Sequence, residues 1–293
     1  MRARYALDLS DGTVMLNAIP FIEKKSYLES YRLPPLSFEK TKKLPASINS
    51  IWSSLHNKES DPRIRSIRMI LSQKKPIDDT ETIALQAALA DAMWKAGKST
   101  NALKMVLKAL KVRPQQWMAN RIYIDILMAQ QEFEQAYEVI LSLKKLPKTP
   151  AWDIPLEARD IELCAASCAW RLKDWELVAE HLGKAFPKGV KSMPSELQED
   201  WFRLALYRHK PDDAGAAAAL LVSTKALDFT DAILQTLVQR GWTNQALPLY
   251  RHVYEQAPRN QLLRRRLVAL CIKEGEIEEA RKLAEPGALD LNL

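Results

Sequence analysis

The chain has 293 residues, 47% apolar and 27% charged, which is the composition of a folded protein with room for one large or two ordinary domains. Its 8 glycines are too few for glycine-loop α/β or all-β folds, and the same composition excludes collagen, disulfide scaffolds and low-complexity chains. The net charge of +7 is uneven. Residues 1–80 hold 14 Lys and Arg against 9 Asp and Glu, so the excess sits mainly at the N-terminal end, where it suits an acidic protein, nucleic acid or anionic lipid if it is more than a solvated surface.

In chain order, residues 5–18 read as a β-hairpin. Tyr5, Leu7 and Leu9 alternate with polar positions, Asp11-Gly12 supplies a two-residue turn, and Val14 and Leu16 resume the alternation. A lone hairpin is marginal, so it must pack on the helices behind it or on another chain. Residues 33–45, with three prolines and three lysines, read as an extended connector, so residues 1–46 form a hairpin and a Pro/Lys-rich segment. Residues 47–80 read as a helical hairpin. Asp61-Pro62 is a start signal there, and Ile64, Ile67 and Leu71 give one apolar face. No stretch of 18 apolar residues occurs, and Asp8, Asp11 and Gly12 interrupt what would be a signal core after the basic start. The chain reads as soluble and cytoplasmic, with export by a signal ahead of residue 1 left open. Cys164 and Cys168 share a helix face and Cys271 lies far away, which fits a reducing compartment.

From residue 81 onward apolar residues recur at three- and four-residue spacings, with Gly or Pro between short runs and no alternating strand pattern. The body is predicted to be all-α. It also has a period. Gly97, Ala102 and Pro114 recur with the same offsets as Gly241, Ala246 and Pro258; Gly275 and Ala280 follow Gly241 and Ala246 by 34 residues, as Ala136 follows Ala102.

This pattern resembles the tetratricopeptide repeat, a helix-turn-helix unit of about 34 residues. The resemblance covers roughly 81–286, with units near 83–116, 117–148, 159–190, 195–224, 227–260 and 261–286, and a tail at 287–293. The family's early Trp is missing, and Ala90 and Ile124 stand at its Gly place. Val178 stands at the small-residue position of the third unit, and about eight extra residues precede that unit. The resemblance implies an α-solenoid in which Ala102, Ala136, Ala246 and Ala280 let paired helices cross closely.

It also implies a groove lined by the first helix of each unit. The matching positions are Asp91, Trp94 and Lys95; Met118, Arg121, Asp125 and Met128; Ser167, Trp170 and Arg171; and, in late units, Asp231, Gln235, Gln239, Arg265 and Lys273. Trp94, Met118, Met128 and Trp170 are apolar anchors in this reading, with Arg121 and Arg171 as forks for carboxylates or carbonyls; Trp94 and Trp170 serve equally well as core. The lysine–asparagine clamp by which chaperone-tail binders of the family hold a terminal carboxylate has no counterpart, since Ala87 and Asp91 stand at its places in the first unit.

No catalytic constellation emerges. His56, His181, His209 and His252 are isolated, and there is no phosphate loop or nucleophile elbow. We therefore expect no enzyme activity, cofactor or metal, and expect a scaffold or adaptor that binds another protein or peptide, with an acidic partner one possibility. Two alternatives remain: a nucleic-acid-binding solenoid using Arg63, Arg65, Arg68 or Arg264-Arg265-Arg266, and an assembly factor docking through its N-terminal hairpin.

Overall fold

The computed structural model describes residues 25–33, 60–72, 79–145, 157–224 and 227–284. All regular structure among them is helical, and no strand occurs there. The hairpin expected at 5–18 and the connector from 34 onward lie outside the described residues, as do residues 47–59 and the tail. Between the expected hairpin and connector, residues 25–33 carry a single helical turn, α1 (Tyr27–Ser30), with Ser26, Leu28, Tyr31 and Leu33 buried.

Two compact units account for the chain. The first runs from Tyr31 to Ala185 and holds α2 (Ser60–Ser72), α3 (Asp79–Lys95), α4 (Ser99–Val112), α5 (Trp117–Gln130), α6 (Phe133–Leu143), α7 (Ala158–Arg171) and α8 (Trp175–Ala185). The second joins residues up to Ser30 with those from Phe186 on. It holds α1, a 3₁₀ turn at Val190–Ser192, α9 (Ser195–Tyr207), α10 (Pro211–Thr224), α11 (Leu227–Gln239), α12 (Thr243–Gln256), α13 (Gln261–Lys273) and α14 (Ile277–Ala284). Within each unit helices pack on their chain neighbours, and alternate helices also touch: α3 on α5, and α10 on α12.

The paired helices from α3 to α14 share one turn, closed by main-chain atoms. A residue in the left-handed conformation follows each first helix: Gly97, Gln131, Lys173, His209, Gly241 and Gly275, with φ between 52° and 80°. The next residue's N–H reaches back to a carbonyl five positions earlier, as Lys98 to Met93 (2.9 Å), Asp174 to Ala169 (3.0 Å) and Glu276 to Cys271 (2.8 Å). Its carbonyl then accepts the first bond of the second helix, from Ala102, Ala136, Val178, Ala214, Ala246 or Ala280. All six of those residues are buried. Five of the six are alanine and the third unit has Val178, because the second helix begins hard against the first and leaves little room there.

The turns between hairpins are held differently. Asn120 Nδ2 donates to the Pro114 and Gln116 carbonyls, both at 2.8 Å, and the Asn260 side chain accepts from the Leu262 and Leu263 N–H groups at 3.0 and 3.2 Å. In the second unit Gly215 on α10 permits a close approach, since a Cβ there would lie 2.9 Å from Gln245 Cγ on α12. Apolar stripes at helical spacing fill each core. Ile64, Ile67, Ile83, Leu89, Val106 and Ile122 pack in the first unit, and Phe202, Leu221, Ile233, Tyr250 and Leu267 in the second.

Candidate functional site

In the first unit the inward polar residues of α3, α5 and α7 form one electrostatic cluster. Asp91 pairs with Lys95 one turn later at 2.6 Å. Arg121 is buried on α5, where loss of water lowers its pKa while Asp125, Asp91, Asp160 and Tyr31 oppose the shift. Asp125 is pushed up to about 6, first by burial and then by Asp91, against the pull of Arg121, Arg32 and Lys95. Arg121 donates through Nη2 to the Leu33 carbonyl at 3.3 Å, and the Tyr31 hydroxyl donates to Asp160 Oδ1 at 3.2 Å. Arg121 and Asp125 thus face residues 31–33 of their own chain.

The apolar anchors expected beside them are packed away. Met118 sits in the core of the unit, and Trp94 packs against that core, half-buried. Trp170 is buried edge-on against Trp175, with ring centroids 5.4 Å apart. The Arg171 guanidinium lies over the Phe133 ring, 5.4 Å from the centroid. Met128 is buried and accepts a weak bond from Cys168 Sγ at 3.2 Å, and Ser167 is fully buried on the same helix as Cys168. The Cys164 thiol is raised well above its usual value by its hydrogen bond with Cys168 and by burial, which makes it inert.

In the second unit an open cleft of about 320 Å³ lies between α11 and α13. Val238, Tyr250 and Leu270 line it, with Gln235, Gln239, Arg266 and Lys273 as its polar members. Asp231 forms an ion pair with Arg266, and Gln235 Oε1, oriented toward that guanidinium, accepts from its Nε at 2.9 Å. Of the two late groove cations expected, Lys273 lines this cleft and Arg265 does not. Arg265 instead lines a separate cavity with Val268 and Leu283, and Arg266 takes the place beside Gln235. α9, from which the sequence reading took no groove residue, carries a buried acid. Asp200 Oδ2 accepts from the Ser26 hydroxyl and the Leu28 N–H, both at 2.8 Å, and its Oδ1 accepts from Arg203 Nη1 at 3.1 Å. Burial pushes Asp200 up to about 6 against those bonds.

Two further polar clusters resemble chemical sites. Tyr137 on α6 donates to His181 Nε2 at 2.8 Å, and His181 Nδ1 lies 2.7 Å from Glu162 Oε2, which also pairs with Lys144 at 2.8 Å. His181 is only 2% exposed and burial lowers its pKa, so the neutral ring bridges α6, α7 and α8 with both nitrogens engaged. Cys271, Glu276 and Glu279 bring possible metal-ligand atoms within 4.8 Å of one another, but Arg251 supplies the cation there, bonding both carboxylates. The arginine triplet diverges: Arg264 donates to the Leu283 carbonyl, Arg265 is exposed and Arg266 pairs with Asp231.

Residues 237–291, which span α12, α13 and α14, match the family model described as tetratricopeptide repeat. That part of the chain carries the tetratricopeptide repeat. The match contains two of the six left-handed turns, at Gly241 and Gly275, and the same main-chain closure recurs at the other four such turns among the described residues. The comparison with curated proteins returned no match. No helix among the described residues is long and apolar enough to cross a membrane.

Proposed function

We propose that the protein is a non-catalytic scaffold that holds a segment of a partner protein against the first helices of its repeats. The observation that carries this reading is the cleft between α11 and α13. An apolar floor takes a hydrophobic side chain, while exposed Gln239 offers a donor and an acceptor to a peptide backbone and exposed Lys273 suits a carboxylate beside it. Asp91, Lys95, Arg121 and Asp125 serve the same purpose in the first unit, where Arg121 already grips a main-chain carbonyl. The three unpaired, buried cysteines suit a reducing, cytoplasmic setting. Internal engagement of Arg264 and Arg266 speaks against a phosphate-binding array.

Quantitative capture of partners by wild type, Gln235→Ala/Lys273→Glu and Arg121→Ala chains tests the reading. Partners held by the wild type are expected to be lost from the cleft variant. Unchanged capture by every variant would remove these helix faces from the account.

A further inference from the structure

The repeat does not require Asp200. Nine positions before each left-handed turn residue stand Ala88, Ile122, Cys164, Asp200, Ala232 and Arg266, so an acid replaces a residue that is apolar in most hairpins. Its side chain is 1% exposed, a costly placement for a carboxylate unless something compensates. The compensation comes from more than 170 positions away: the Ser26 hydroxyl, the Leu28 N–H, and a Leu28 side chain with no exposed surface. Arg203 closes the other carboxylate oxygen. These are the contacts of a bound peptide, a hydroxyl and a main-chain N–H on a buried acceptor with a leucine beside them, rather than the side-chain interdigitation that joins the hairpins. Tyr31 and Leu33 do the same within the first unit, through Asp160 and Arg121.

We propose that Ser26–Ser30 is an intramolecular ligand of its own unit, and that the Asp200 socket is a docking site for a partner segment of the same chemistry: a hydroxyl residue followed two places later by leucine. The two exclude each other, so a partner binds only as the internal segment leaves. This rests on the reading of the protein as a peptide-binding scaffold, but through different residues from the α11–α13 cleft.

The probe is a fluorescein-labelled peptide with the sequence of residues 25–33, read by anisotropy against the full-length chain. Apparent affinity scales with the fraction of open sites, so Leu28→Asp, which ejects the internal segment, is expected to raise it about tenfold or more. Adding Asp200→Ala is expected to reverse the gain, and a probe with alanine for its first serine and aspartate for its first leucine is expected to stay unbound. A second measurement uses the unaltered chain, because Leu28→Asp can disturb folding. Hydrogen exchange of the chain's own Leu28 amide is expected to accelerate when unlabelled probe is added in excess.

Unchanged exchange at saturating probe overturns the proposal. So does a Leu28→Asp chain that keeps its helical signal yet binds the probe no better. Gln235→Ala/Lys273→Glu separates the two readings: if it leaves partner capture intact while the probe still exchanges, the cleft reading fails and the socket stands.

Discussion

The left-handed turn is the feature on which the repeat register depends, and two substitutions in one unit probe it with opposite sign. Gly241 sits at φ +76°, and a Cβ there would meet no atom within 4 Å, so Gly241→Ala introduces backbone strain without a clash. A left-handed residue with a Cβ costs roughly 1–2 kcal/mol, offset by about 0.4–1 kcal/mol from the reduced freedom of the unfolded chain. The net expectation is a loss of about 1 kcal/mol. His209 occupies the equivalent turn at φ 52° with a side chain in place, so His209→Gly is expected to gain about 0.5 kcal/mol by the same arithmetic. Urea titration followed by circular dichroism at 222 nm resolves both, as midpoint shifts of about 0.2–0.8 M in opposite directions. Equal stability of Gly241→Ala and wild type, or a destabilised His209→Gly, would refute the claim that main-chain conformation at these turns sets the hairpin register.

Ala246→Leu and Ala136→Leu each overpack a buried crossing and are expected to cost about 1–3 kcal/mol in the same titration. Asp200, raised from 3.8 to about 6, favours the folded state in its protonated form; that contribution is complete below 3.8 and is lost as pH rises through about 6. The difference in stability between wild type and Asp200→Asn should therefore change by about 2 kcal/mol between pH 4 and 7 and stay flat above, measured as midpoint against pH. His181, lowered by burial, has the opposite sign: its contribution is present above 6.5 and is lost as pH falls through its folded value, so His181→Gln should be less sensitive than wild type to acid below 6.5. At neutral pH His181→Phe is expected to cost about 1–3 kcal/mol, because it strips a partner from Tyr137 and Glu162.

The hairpins were legible because their register is written in local chemistry. Gly97, Gly241 and Gly275 mark left-handed positions, and buried alanines follow five residues later. Gln131, Lys173 and His209 hold the same conformation without glycine, so nothing in residue type announces the middle turns. Trp170 and Met118 occupy positions that face inward by spacing, yet neighbours such as Trp175 bury them; spacing gives a direction, not what already stands there. The Asp200 socket was invisible for a different reason. Its partners, Ser26 and Leu28, lie outside the repeats, and a contact across such a separation leaves no trace in periodicity.

The hairpin closure has a consequence for how such a chain can change. Its bonds run between N–H and carbonyl groups, with the same connectivity whether the turn residue is Gly, Gln, Lys or His. Outward side chains on the first helices therefore have no part in holding the turn. Modules of this kind can be duplicated, deleted or transplanted at the junctions between hairpins, and recognition can drift freely on a skeleton that stays fixed.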